Sequence, residues 1–390
     1  MMTRNEATRA TRAEDLTDLF ADAAREGTRI LLQGGGSKAD MGAPVDGARV
    51  LDMRGFAGVI DYDPPELVLT LGAGTPLKDV QALVAAEGQM LAFEPFDHGA
   101  VFGRPAGCST IGGVVAAGVS GPLRLTQGAA RDHLLGFEAV SGRGEPFVGG
   151  AKVVKNVTGY DLPKLMAGSW GRLTALTRLT LKVLPRPRRR VTKIVAGLDL
   201  PGALDLMARA MASQAEVSAA AYLPCGDGRG HGALVAFRMQ GFAASVAARC
   251  RMLDAIIGPH DQLDPHEDGD CEDFWAKVAT AAPLGPDRPL WRISVPPSRA
   301  CALVAAIPAE GRDWLFDWAG GMAWLAFDGD AAIVRNAAAA AGGHAMLVRA
   351  PAPMRTLVPT LHPQPSGLSM LEERVRRAFD PHGLFETGRF

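Results

Sequence analysis

The sequence is short of the features that mark most specialised classes of protein. Its five cysteines, Cys108, Cys225, Cys250, Cys271 and Cys301, are odd in number and include no CxxC pair. That argues against a disulfide scaffold, an iron–sulfur ligand set and a zinc ribbon, and it fits a reducing compartment. An excess of charge of one sign is missing too: 41 Lys and Arg against 42 Asp and Glu leave a formal net charge of -1. No broad basic field is available to hold nucleic acid or an anionic membrane. The one dense basic run, Arg186-Pro187-Arg188-Arg189-Arg190, is short and interrupted by proline, and reads as a solvated linker. No apolar run approaches the ~20 residues of a membrane span. The N-terminal stretch MMTRNEATRATRAEDL lacks the apolar centre of a secretory signal. These absences predict a cytoplasmic protein whose attachment to a membrane, if any, runs through a partner.

What is present is an ordinary globular balance, 47% hydrophobic and 21% charged over 390 residues. That length is enough for about two to three domains. Residues 14–26 predict a helix with Leu16, Leu19, Phe20 and Ala23 on one face, stopped by Gly27. A buried strand at 29–33 runs directly into Gly34-Gly35-Gly36-Ser37-Lys38, and a second strand follows at 49–53. Thr75 as N-cap and Pro76 after it predict a helix that Gly88 ends. Segments 90–93, 134–140 and 176–184 read as strands. Pro185 and Pro187 close this unit. Beyond it, Ala-rich helices at 203–215, 243–257 and 331–341 alternate with strands at 232–239, 290–295 and 321–327. The polar, acidic stretch 259–273 reads as a loop, and 369–378 as an amphipathic helix that gathers Met370, Leu371, Val375 and Phe379. The expected organisation is 1–187, an α+β unit; 188–350, a second α+β unit; and 351–390, a closing helix and tail that pack back on the first.

Three segments suggest a ligand. Gly34 to Ala39 matches the dinucleotide pattern G-x-G-x-x-G/A. A Rossmann unit needs a long helix directly after that loop. Gly42, Pro44 and Gly47 interrupt the segment and a strand begins by Arg49, so that geometry is excluded. The loop still offers backbone N–H groups, the Ser37 hydroxyl and the Lys38 ammonium, a set that suits a diphosphate as well as a plain tight turn. The second segment, Gly107-Cys108-Ser109-Thr110-Ile111-Gly112-Gly113 through Gly118, puts Ser and Thr at a helix start and two glycines in its first turn. Glycine inside a helix costs about 1 kcal/mol relative to alanine, so something presses on that backbone. A phosphate or a flavin edge at the positive helix end would do so, as would a close-packed neighbour. The third segment, Lys155-Asn156-Val157-Thr158-Gly159-Tyr160-Asp161 followed by Gly168-Ser169-Trp170-Gly171, has polar groups suited to a sugar or ring system, or to a structural turn.

In order and spacing the three segments resemble the PCMH-type FAD-binding domains of the vanillyl-alcohol-oxidase family. The matching stretches are 33–38, the "ATIGG"-like 108–113, and 158–162 with 168–173. Residues 371–389 resemble that family's closing helix and tail, with Glu386-Thr387 where the pattern has Asn-Pro. Within the family, Ala117-Gly118-Val119-Ser120-Gly121-Pro122 and 150–161 are most similar to the FAD-binding E-type subunits of bacterial glycolate oxidase. The resemblance implies an α+β fold with a two-lobed FAD-binding domain, a second cap or substrate domain, and a C-terminal helix returning to the first. It implies FAD, held non-covalently, since covalent members place a histidine in or beside the first loop and none is there. It also implies a subunit of a glycolate oxidase (glycolate dehydrogenase) complex. Glycolate, or a related 2-hydroxy acid such as D-lactate, would be oxidised to the 2-oxo acid by hydride transfer to FAD. A larger FAD-linked subunit and an iron–sulfur subunit would be the partners, passing electrons to a quinone or carrier and linking the complex to the inner membrane. The alternatives are an electron-relay subunit with catalysis in the partner, or a free-standing FAD alcohol oxidase.

Carried onto this chain, the resemblance gives Gly34, Gly35, Gly36, Ser37 and Lys38 to the pyrophosphate. Ser109, Thr110, Gly112, Gly113 and Gly118 would line the flavin and its phosphates. Gly159, Tyr160 and Asp161 would close the site, and Leu173 with Ala175 would approach the adenine. Oxidising a 2-hydroxy acid also needs a cation for the carboxylate and a base for the hydroxyl. His98, His133 and Arg124 are the candidates, with Arg104 and Arg131 as further clamps, and each also reads as a packing or surface residue. The stretch 227–232 echoes the metal-binding segment of metal-dependent 2-hydroxy-acid members but lacks the second histidine, so no metal is expected.

Overall fold

The computed structural model describes residues 7–150, 159–226 and 230–390. Helix Ala13–Glu26 buries Leu16, Phe20 and Ala23 and stops where Gly27 turns left-handed at φ 66°, a conformation glycine adopts without a Cβ penalty. It covers a three-stranded parallel sheet ordered Thr8–Arg9, Arg49–Asp52, Ile30–Gln33. A second lobe is an antiparallel five-stranded sheet ordered Val59–Asp63, Val68–Gly72, Thr174–Lys182, Leu134–Ser141, Pro146–Gly150. Helices Leu77–Ala86 and Ile111–Ala116 pack on that sheet through Leu77, Val80, Val84, Ile111 and Val114.

The second half is one eight-stranded antiparallel sheet. Its order is Gln262–Glu267, Arg189–Ala196, Leu234–Gly241, Ala219–Leu223, Arg312–Asp317, Met322–Phe327, Leu290–Ser294, His344–Arg349. The two-residue period divides its side chains between two cores. Val195, Val235 and Phe237 face the Ala-rich helices Leu200–Met211 and Ala243–Ile257. Ile194, Leu234, Ala236 and Trp324 face helix Asp268–Ala279 together with Met41, Val101 and Leu123 of the first half. The core that joins the halves is therefore the back face of this sheet.

The closing helix Ser366–Phe379 lays Val375 and Phe379 against the five-stranded lobe, and Arg172 of that lobe meets Glu372 at 2.7 Å. Leu384 and Phe385 then enter the core of Leu16, Phe20 and Ile30, with Phe385 edge-on to Phe20 at 5.4 Å. Met370 and Leu371, expected on the packed face, are instead 60% and 53% exposed.

Several local expectations are corrected. The basic run is no solvated linker: Arg189 and Arg190 open a strand of the large sheet, and Arg190 is buried. Arg189 pairs with Glu267 and Asp268, while Arg186 and Arg190 share Glu272. Those acids lie some 80 residues away in sequence, where composition gives no hint of the pairing. The acidic stretch 259–273 is ordered for the same reason. It forms edge strand Gln262–Glu267 and begins helix Asp268–Ala279, whose buried face is Cys271, Phe274, Trp275 and Val278. Thr75 does not cap; its hydroxyl donates to the Gly72 carbonyl at 2.7 Å, and the helix begins at Leu77. The strand expected at 90–93 shortens to Gln89–Met90. Strands Ala219–Leu223, Arg312–Asp317 and His344–Arg349 were not foreseen.

Candidate functional site

Two parallel strands deliver the first loop. After Gln33 the chain leaves the sheet at Gly34 and bends back along the N-terminus of helix Ile111–Ala116. Contact is close: a Cβ built on Gly35 would overlap the Cys108 carbonyl, and one on Gly34 would overlap the Thr110 hydroxyl. Gly112 is pressed against the Ala73 carbonyl, where a Cβ would sit 2.7 Å from the oxygen. Only glycine fits these positions, so the two loops form one cradle. Thr110 caps the helix by accepting from the Gly113 N–H at 3.3 Å.

Between the loops lies an open cleft of about 870 Å³, lined by Gly34 to Lys38, Thr110, Gly112, Gly113, Trp170 and Thr174, with Arg389 and Phe390 at one side. Among the described residues, the N–H groups of Gly35, Gly36, Ser37 and Lys38 find no protein acceptor. Unpartnered donors at a glycine loop, facing a helix N-terminus, suit a diphosphate. Lys38 adds a cation whose pKa is lowered to about 8, chiefly by burial and further by Arg389, with Asp97 opposing. The residues present therefore fit the diphosphate of a dinucleotide cofactor.

Asp97 organises the cradle. Its carboxylate accepts from the N–H groups of Gly99, Gly107 and Ser109 at 2.7, 3.0 and 2.7 Å. Burial pushes its pKa up, but these bonds outweigh burial and hold it below the ordinary carboxylate value. Ser109 stands behind the lining and donates to Ser37 at 2.9 Å. Gly118, at φ 63°, lies at the far end of the short helix against Gly168. Strand Thr174–Lys182 turns Thr174 and Leu176 to the cleft. The residues chosen from sequence, Leu173 and Ala175, are one position out of phase and pack into the two cores. Gly159, Tyr160 and Asp161 do not line the cleft: Tyr160 is 91% exposed, and Asp161 caps helix Leu162–Met166 and pairs with Lys164. Lys155, Asn156, Val157 and Thr158 lie outside the described residues.

Trp170 and Ala117 are shared with a second, tighter cavity at the junction with the large sheet, whose free space of about 20 Å³ holds about one water. His98, Arg292 and Asp317 all line it. His98 is 7% exposed, stacks on Phe96 at 4.8 Å, and its Nδ1 has no partner among the described residues. Burial, then Lys38 and Arg292, hold its pKa well below the usual histidine value, so the imidazole is neutral. Arg292, 5.2 Å over the Trp318 ring, is lowered to about 10 by burial and Arg124 but remains a cation at neutral pH. Asp317 is 1% exposed and raised to about 8, first by burial and then by Glu94. It is protonated at neutral pH. A neutral base and a buried cation in one small cavity can bind an anion and take up a proton.

Of the other candidates, Arg124 is half-buried with its guanidinium 4.5 Å over the Trp318 ring, and it does not line the cavity. His133 lies outside the cavity: its Nε2 is 2.7 Å from the Gln127 carbonyl and its ring packs on Phe93. Arg104 pairs with Asp40, and Arg131 lies beside Asp132 at the surface. Sequence reasoning missed Arg292, Asp317 and Trp170, and only Trp170 had a local signal, in the Gly168-Ser169-Trp170-Gly171 turn. Among the described residues no cluster of three or more His, Cys, Asp or Glu is placed to hold a metal.

The fold and the diphosphate cradle define a PCMH-type FAD-binding oxidoreductase. Residues 7–149 match the family model of an FAD binding domain. Over 97% of both chains, the sequence is 32% identical to glycolate oxidase subunit GlcE of Escherichia coli (strain K12). It is 29% identical to a D-lactate dehydrogenase of Archaeoglobus fulgidus, over 45% of this chain and 38% of that one. A solved structure of alkyldihydroxyacetonephosphate synthase shares the fold, with a TM-score of 0.67 over 96% of this chain and 75% of that chain at 13% identity. The protein belongs to the family of FAD-linked glycolate oxidase subunits, and its cofactor is FAD. No helix among the described residues is long and apolar enough to cross a membrane.

Proposed function

We propose that this chain is the FAD-binding subunit of a glycolate oxidase complex and that it oxidises glycolate, or a close 2-hydroxy acid such as D-lactate, at the cavity beside Trp170. The observation that carries this reading is the placing of neutral His98, with an Nδ1 that finds no partner among the described residues, and the Arg292 cation on the lining of one cavity, which shares Trp170 and Ala117 with the diphosphate cleft. Supporting it are the subunit relative, similar over nearly its whole length, and the D-lactate dehydrogenase relative.

FAD, held non-covalently by loop 34–38 and the helix start at Thr110, supplies the hydride acceptor. Arg292 binds the carboxylate and fixes the substrate's orientation, and the enclosed wall raises the strength of that pairing. Neutral His98 accepts the hydroxyl proton on the ring nitrogen that carries no hydrogen. Protonated Asp317 keeps the wall from presenting a second anion to the substrate. Electrons leave through partner subunits, a larger flavin-linked chain and an iron–sulfur chain. An association of that complex with the inner membrane would run through those partners.

The test is steady-state oxidation of glycolate by the purified chain, alone and with its partner subunits, using an artificial electron acceptor. Turnover by the chain alone that falls at least tenfold in His98→Gln, with bound flavin unchanged, supports this reading. A yellow chain that is inert alone, whose complex is active and indifferent to His98→Gln, would assign it an electron-relay role.

A further inference from the structure

We propose that a third cavity, between helices Leu77–Ala86 and Asp268–Ala279, is the entrance through which the anionic substrate reaches His98 and Arg292. It is the roomiest of those described, about 1010 Å³, and shares no lining residue with the cofactor cleft. Phe96 and Ala279 line both this cavity and the enclosed one, so they form the neck between them. Phe96 is also the ring that stacks on His98.

The charges along the cavity grade inward. Partly exposed Arg186 and buried Arg190 share the single carboxylate of Glu272, each at 2.7 Å. Deeper, Arg238 is 4% exposed, pairs with Glu94, and keeps a buried Nε with no acceptor among the described residues. Three guanidinium groups thus face two carboxylates, and beyond the neck Arg292 continues the series. Such a positive lining concentrates an anion and passes it inward.

This inference rests on the proposed substrate class, and its test separates the two. In Ala279→Cys, the introduced thiol sits at the neck. Its alkylation by anionic iodoacetate and by neutral iodoacetamide is followed by peptide mass mapping in the full chain, with exposed Cys301 as internal reference. The ratio of the two rates cancels the thiolate fraction of each cysteine. The expected ratio is several-fold higher at 279 than at Cys301, and it falls to the Cys301 value when Arg186→Glu is added. A thiol at 279 that neither reagent reaches, or a ratio equal to that of Cys301 in both backgrounds, would overturn the entrance. A second variant, Ala279→Trp, is expected to lower kcat/KM for glycolate at least tenfold while bound flavin stays constant. Unchanged kcat/KM there would also overturn it. If the wild-type protein does not oxidise glycolate at all, the proposed function fails, and the alkylation ratio still decides the entrance.

Discussion

The cleft at the glycine loops and the cavity at His98 adjoin one another, yet they are built from opposite materials. The cleft is made of backbone: N–H groups from residues 35–38 and a helix start, brought close because Gly34, Gly35 and Gly112 carry no side chain. The cavity takes its chemistry from ionisable side chains set among apolar ones and drawn from segments some 200 residues apart, with Arg292 and Asp317 on the large sheet and His98 on a loop of the first half. The contrast shows what each site can tolerate. Adding an atom breaks the first, and removing or adding a charge breaks the second.

The largest effect is expected from Gly35→Ala. Its Cβ would overlap the Cys108 carbonyl, and overpacking of about 1–3 kcal/mol corresponds to FAD binding weaker by up to about a hundredfold. The flavin-to-protein absorbance ratio of the purified chain measures it; a ratio equal to wild type would detach FAD from this cradle. Next is Arg292→Gln, which leaves FAD bound but takes the cation from the cavity. Loss of a hydrogen bond to a charged group costs about 2 kcal/mol, so kcat/KM for glycolate should fall about thirtyfold. An equal loss with an uncharged alcohol would show that Arg292 does not bind a carboxylate.

Lys38 gives a smaller effect with a pH signature. Its ammonium is charged below about 8 and lost above it, so FAD affinity should fall as pH rises through that value, measured by titration of the apoprotein. Lys38→Met should bind FAD about tenfold more weakly near neutral pH, the loss of one charge-assisted contact, and show no such pH step. The smallest effect is on stability. Asp317 has a folded pKa near 8 against an ordinary 3.8. Between those values the unfolded chain releases a proton that the folded chain keeps, so stability falls as pH rises from about 4 to 8 and levels off above. Asp317→Asn removes that slope. Its Tm should therefore gain on wild type by a few degrees between pH 5 and pH 9; parallel Tm curves would contradict a protonated Asp317.

The same contrast explains what the sequence made legible. A backbone site leaves glycines at fixed short spacing, so Gly34 to Lys38 and Thr110 to Gly113 could be read as a pair of loops before any coordinates. Helix Ala13–Glu26 was equally plain, because its apolar face and Gly27 stop are local. A side-chain site leaves no such trace. Arg292 lies in a strand among apolar residues, and nothing nearby marks it as facing a cavity that His98 and Trp170 complete. Arg186, Arg189 and Arg190 looked solvated because the acids that pair with them sit at 267, 268 and 272. The miss at Leu173 and Ala175 is one of phase: a strand alternates its faces, and a one-residue error exchanges cleft for core.

The central claim is that FAD bound in the first half is reduced by a 2-hydroxy acid held in the adjoining cavity. Anaerobic titration of the purified chain with glycolate, followed by its visible absorbance, tests it most directly. A yellow protein that bleaches in the wild type and fails to bleach in Arg292→Gln is the predicted result. A yellow protein that glycolate and D-lactate leave unchanged, or a colourless one that takes up no FAD, would contradict it.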